Sequence, residues 1–140
     1  MPLDLGSLEK GVTALRRALS TQDDPAGLAS LSEDQRETLR AGVVQTFEFT
    51  YELCWKYMRR WLAANLAPHE VEGVARRELF RMAAQHGLIG DVESWMGYHE
   101  GRNITSHTYS SETVGRVIEI ARDFAKDAEL LLLALEARNA

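Results

Sequence analysis

The chain has 140 residues, 45% hydrophobic and 26% charged with three prolines, a composition inside the globular range and outside the disordered and collagenous classes. At this length one domain spanning residues 1–140 buries enough surface to hold a core. The net charge of −5 argues against a protein that coats nucleic acid through a general basic surface, and the single cysteine, Cys54, excludes an intrachain disulfide and a Cys-based metal site within the chain.

No apolar run approaches the ~20 residues that cross a bilayer, and Met1 to Leu5 lacks the basic and apolar regions of a signal peptide. A soluble, cytoplasmic protein without a membrane partner is expected.

Apolar residues recur at helical spacing almost throughout, and no period-2 run bounded by turn residues argues for a sheet, so the expected fold class is all-α. A first helix is predicted over 3–19, with Leu5, Leu8, Val12, Leu15 and Leu19 on one stripe. Residues 21–32, with Asp23, Asp24, Pro25 and Gly27, read as a loop. Ser32 followed by Gln35 is a capping box that opens a long second helix towards Leu66. Its predicted core stripe is Leu39, Val43, Phe47, Tyr51, Cys54, Met58 and Trp61, widened by Phe49, Leu53 and Tyr57. Within it Cys54 reads as a small core residue in preference to a nucleophile. Ala67, Pro68 and His69 break the pattern, and a third helix follows over 70–86, ending at Gly87 as a left-handed C′ residue.

Asp91 caps a predicted fourth helix carrying Trp95, Tyr98, Arg102, Asn103 and His107. Ser110 caps the last, with a staple between Tyr109 and Val114 and the stripe Val117, Ala121, Phe124, Ala128, Leu131 and Leu135. The leucines of 130–133 read as a dimer or core face. The short connections at 88–90 and 108–110 predict antiparallel neighbours, hence an up-and-down bundle of four to five helices.

The segment Gly101 to Tyr109, GRNITSHTY, gathers a guanidinium, an amide, hydroxyls, an imidazole and a phenol within nine residues. Asn103 and His107 stack on one helix face, whereas Arg102 lies about 140° from His107, so a converging site requires the helix to end or distort near Ser106, or a second subunit to complete it. This set suits metal-independent RNA cleavage. His107 serves as acid or base near neutral pH, Arg102 holds a phosphate, and the 2′-hydroxyl of the RNA is the nucleophile. The competing reading pairs Arg102 with Glu93, Glu100 or Glu112 and leaves His107 as a helix-end histidine.

Elsewhere, His69, His86 and His99 lack ligand spacing, so no metal and no cofactor are expected. Glu48, Glu52 and Lys56 read as an i, i+4 ladder on a polar edge, the alternative being paired acid and base groups. The local basic excess of Lys56, Arg59, Arg60, Arg76, Arg77 and Arg81 is either a solvated helix face or a small RNA footprint.

Three separated motifs carry a resemblance: QTFEFTYELCWK from Gln45 to Lys56, GLIGD from Gly87 to Asp91 followed by Trp95, and Arg102-Asn103 through His107-Thr108-Tyr109. Over about residues 35–133 the chain resembles the nucleotidyltransferase substrate-binding family of the HEPN superfamily, whose members include the HepT-like toxins. The resemblance implies a HEPN-like helical-bundle homodimer in complex with a minimal nucleotidyltransferase, the antitoxin of a toxin-antitoxin pair. It implies an RNase centre with Arg102 and His107 as catalytic pair, Asn103 in a supporting role, and Tyr109 as the tyrosine that the partner modifies with AMP to silence the toxin. A bulky anionic nucleotide beside His107 would block RNA and repel its phosphates. Other members imply a second possibility, a non-catalytic subunit that presents a substrate to the nucleotidyltransferase.

Overall fold

The computed structural model describes residues 2–105 and 110–139, and among them every regular element is helical. Five longer helices build the molecule: α1 (Gly6–Gln22), α3 (Glu33–Asn65), α5 (Arg76–Gln85), α6 (Val92–Ile104) and α7 (Ser111–Arg138). Two short ones, α2 (Pro25–Ala29) and α4 (Pro68–Val71), lie in the connections. The expected loop over 21–32 thus contains a helical turn, because Pro25 supplies a preset N1 residue.

Cross-contacts give the directions of the helices. Tyr57 donates to the Asp4 carbonyl (2.6 Å) and Thr50 to the Gly11 carbonyl (3.1 Å), so α1 runs antiparallel to α3. Arg16 with Glu129 and Arg122 with Asp23 set α1 antiparallel to α7, and Tyr98 on Asp127 together with Gly101 against Ile120 does the same for α6 and α7. These are the relations of an up-and-down bundle in which α3 and α7 are parallel.

The region predicted as one helix over 70–86 is instead broken. Gly73, at φ +74°, takes the left-handed conformation that a continuing helix excludes, and α5 starts afresh at Arg76. Arg76 lies beside Tyr51 and His86 beside Trp61, so α5 runs parallel to α3. Residues 66–75 carry the chain back along α3 before α5 begins.

The long stripes are buried as expected at Val43, Phe47, Tyr51, Cys54, Met58 and along all six positions of α7. Three readings on α3 are corrected: Leu62 is buried in place of Trp61, Leu39 is half-buried, and Phe49 stands 59% exposed. Phe124 is the hub, making edge contacts with Phe47 (5.2 Å), Tyr98 (5.3 Å), Trp95 (5.7 Å) and Tyr51 (6.2 Å). Through these rings α7 holds α3 and α6 side by side, and their facing surfaces carry the polar site. No helix among the described residues is long and apolar enough to cross a membrane.

Candidate functional site

Arg102 leaves the last turns of α6 and crosses to α3. Its Nη1 lies 3.8 Å from Glu48 Oε2 and its Nε 3.4 Å from Glu52 Oε1, with all three side chains about one-third exposed. The crossing is close because Gly101 has no side chain: a Cβ there would sit 3.1 Å from Ile120 Cγ2 and 3.5 Å from Phe47 Cζ. Glu48 and Glu52 are one turn apart on α3, so a single guanidinium reaches both.

This corrects two expectations. The partners of Arg102 are not Glu93, Glu100 or Glu112, and Glu48 and Glu52 spend their charge across the helix pair instead of on a ladder with Lys56. Glu93 instead pairs with Arg77 of α5. Beside Arg102 an open groove is lined by Gln45, Glu48, Phe49, Glu52, Leu53 and Lys56. Its walls combine two cations, two carboxylates and the exposed Phe49 ring. The Arg102 Nε is buried without a hydrogen-bond partner, since Glu52 attracts it at 3.4 Å without an aligned hydrogen bond.

A second set of groups adjoins the first. Tyr51 Oη is 2.8 Å from His99 Nδ1 and accepts from Arg76 Nη1 at 2.9 Å. Arg76 lies flat on Trp55, with Cζ 3.8 Å from the ring centroid, and Trp55 Nε1 donates to Glu52 Oε2 at 3.0 Å. His99 Nε2 is 3.4 Å from Asn103 Nδ2, one turn along α6. Burial pushes the Tyr51 phenol well above its ordinary range. Burial first, and then the Arg76 charge, holds the His99 imidazole below its usual value. By sequence Tyr51 belongs to the core stripe of its helix and His99 is a histidine without ligand spacing. The available signal was the spacing of His99, Arg102 and Asn103 at i, i+3 and i+4 on one helix.

Of the four residues expected to work together, Arg102 stands at the groove and Asn103 on the next position of α6. His107 and Tyr109, with the expected Tyr109–Val114 staple, lie outside the described residues. Helix α6 ends at Ile104, where Thr105 Oγ1 donates to the Arg102 carbonyl at 2.7 Å, so the helix stops before Ser106. Among the described residues no three His, Cys, Asp or Glu side chains gather as a metal set. Cys54 is fully buried, and burial raises its thiol pKa, as suits a core residue.

The fold and this groove define an all-α bundle that presents an arginine between facing helices. Residues 3–137 match the family described as nucleotidyltransferase substrate binding protein like, and the chain belongs to that family. A Haemophilus influenzae protein described as a probable ribonuclease HepT is 39% identical over 105 residues, 74% of this chain and 72% of its own. The solved structure of a Haemophilus influenzae protein, described as revealing the fold of a substrate binding domain of a nucleotidyltransferase, superposes with a TM-score of 0.91 at 32% identity. It covers 95% of this chain and 99% of that one. A Thermus thermophilus protein of known structure superposes with a TM-score of 0.72 at 25% identity, covering 91% of this chain and 98% of that one.

Proposed function

We propose that this protein is a HepT-like toxin, a metal-independent endoribonuclease that works as a homodimer and is silenced by a partner minimal nucleotidyltransferase. The observation that carries this reading is Arg102 at an open groove, its side chain about one-third exposed between Glu48 and Glu52. The 39% identity to the probable ribonuclease supports it.

In this mechanism the groove takes a single RNA phosphate, and Arg102 offsets the charge that develops on its oxygens. His107 accepts the proton of the 2′-hydroxyl as that oxygen bonds to phosphorus and the bond to the 5′-oxygen breaks. The imidazolium passes the proton to the departing oxygen. The products are a 2′,3′-cyclic phosphate and a 5′-hydroxyl, with no metal required. AMP placed on Tyr109, two residues from His107, would fill the site with bulk and negative charge and so switch it off.

The test is cleavage of total cellular RNA by the purified protein in the presence of chelator, beside Arg102→Ala and His107→Ala. The expected loss is about 10²-fold or more for each variant, with unchanged helical circular dichroism. Activity persisting in His107→Ala would refute the acid–base assignment. A second reading, a non-catalytic subunit that presents a substrate to the nucleotidyltransferase, is favoured by the family's description and by the structural neighbour of TM-score 0.91. It expects co-purification with the nucleotidyltransferase and no cleavage by any of the three proteins.

A further inference from the structure

Phe49 stands where the register of α3 forces it. Phe47 and Tyr51, two residues to either side, are fully buried against Phe124, and at about 100° per residue the position between them falls on the opposite side of the helix. The ring is therefore left in solvent, and it forms part of the wall of the Arg102 groove. Gln45 precedes it by one turn and Leu53 follows by one turn in the same wall. Single exposed apolar side chains are common on protein surfaces, and it is the place beside a guanidinium that gives this one a use.

The charges of the groove show what the ring can supply. Arg102 and Lys56 are balanced by Glu48 and Glu52, and the whole chain carries −5. The two carboxylates lie 3.8 and 3.4 Å from the guanidinium, so a phosphate brought to Arg102 meets two negative groups with it. Counterion release from a polyanion draws on an excess of Lys and Arg, which this groove lacks. A strand bound here must take much of its affinity from a contact that is not electrostatic. Stacking of an unpaired base on an aromatic ring provides one, and each such stack changes affinity about tenfold or more. The groove measures about 380 Å³, at the small end of ligand sites, which suits a single nucleotide unit. Its apolar part, Phe49 and Leu53, is bounded by Gln45, Glu48, Glu52 and Lys56, a patch far smaller than the roughly 800 Å² per partner of a stable protein interface.

We propose that Phe49 is the base-binding element of the Arg102 groove: an unpaired nucleobase of single-stranded RNA stacks on its ring while Arg102 holds the adjoining phosphate. The identity of the strand as a substrate rests on the ribonuclease reading. The stacking itself is measurable without cleavage.

Binding is measured with the full chain and two short 2′-O-methyl strands of equal length and charge, an oligoadenylate and its abasic counterpart, in which the blocked 2′-oxygen prevents cleavage. The wild-type protein is expected to bind the oligoadenylate about tenfold more tightly than the abasic strand. Phe49→Ala and Phe49→Leu are each expected to lose about tenfold on the oligoadenylate and to bind the two strands alike, whereas Phe49→Trp keeps the preference. Leucine retains apolar bulk without a ring face, so its loss identifies stacking. Unchanged oligoadenylate affinity in Phe49→Ala, or an equal loss on both strands, overturns the proposal. So does a smaller sedimenting mass in Phe49→Ala, which would make the ring a contact between copies of the chain. Wild-type protein that binds neither strand overturns it as well. Cleavage of unmodified RNA by the same preparation is read separately. A base preference that depends on Phe49 without any cleavage leaves the subsite standing and the ribonuclease reading refuted, and cleavage without that preference refutes the subsite alone.

Discussion

Arg102 sets the character of the groove because it is shared between two carboxylates without being saturated by either. His99, on the same helix, is poised differently. Its folded-state pKa lies below the ordinary 6.5, so the unfolded chain binds the proton more readily. The stability it contributes is therefore fully present above about pH 6.5 and is lost as pH falls through the lower folded value. Denaturant melts between pH 7 and 5 should show a decline in stability that is shallower in His99→Gln. Cys54, fully buried with a raised thiol pKa, should resist thiol reagents in the native protein and react at once in denaturant. At this scale the sequence exposed Arg102 and Asn103 as chemically dense neighbours but hid Tyr51 and His99. A buried tyrosine and a solitary histidine acquire meaning when two helices bring a hydroxyl and a ring nitrogen to 2.8 Å.

Among the elements, α3 is the scaffold on which the rest is registered. The Ser32 hydroxyl accepts from the Gln35 backbone at 3.1 Å, and Gln35 Oε1 accepts from the Ser32 backbone at 2.8 Å, completing the capping box. Ser32→Ala should cost about 1 kcal/mol of unfolding free energy, measured by urea titration. Gly87, at φ +76°, ends the α5 segment, and a Cβ there would meet Arg138 Nη2 at 2.7 Å, the movable end of a side chain. Gly87→Ala should therefore cost about 1–2 kcal/mol from backbone strain alone. Both the capping box and the Gly87 stop were legible, because capping depends on a few neighbouring residues. The break at Gly73 was not. One glycine inside a periodic stretch is compatible with a continuous helix, and the parallel run of α5 is decided by its packing on α3 and α6.

For the molecule as a whole, the joint between α3, α6 and α7 controls the site. Phe124→Ala would empty the centre of four ring contacts and should cost about 3–5 kcal/mol, the usual range for a buried phenylalanine, measured by thermal or denaturant unfolding. The amino-acid order by itself determined the all-α class, the helix caps, the buried stripe of α7 and the nine-residue segment in which Arg102 and Asn103 lie. All of these depend on spacing along the chain, which hydrophobic burial and backbone geometry read locally. The tertiary structure alone decided that Arg102 faces Glu48 and Glu52 and that Phe49 stands in solvent. It also decided that Arg76, Tyr51, His99 and Asn103 meet. Such pairings join residues up to 54 positions apart, Glu48 with Arg102, and depend on how far one helix slides and turns against another. That register is set by ring packing around Phe124 and by the close approach at Gly101, and neither leaves a periodic trace in the sequence.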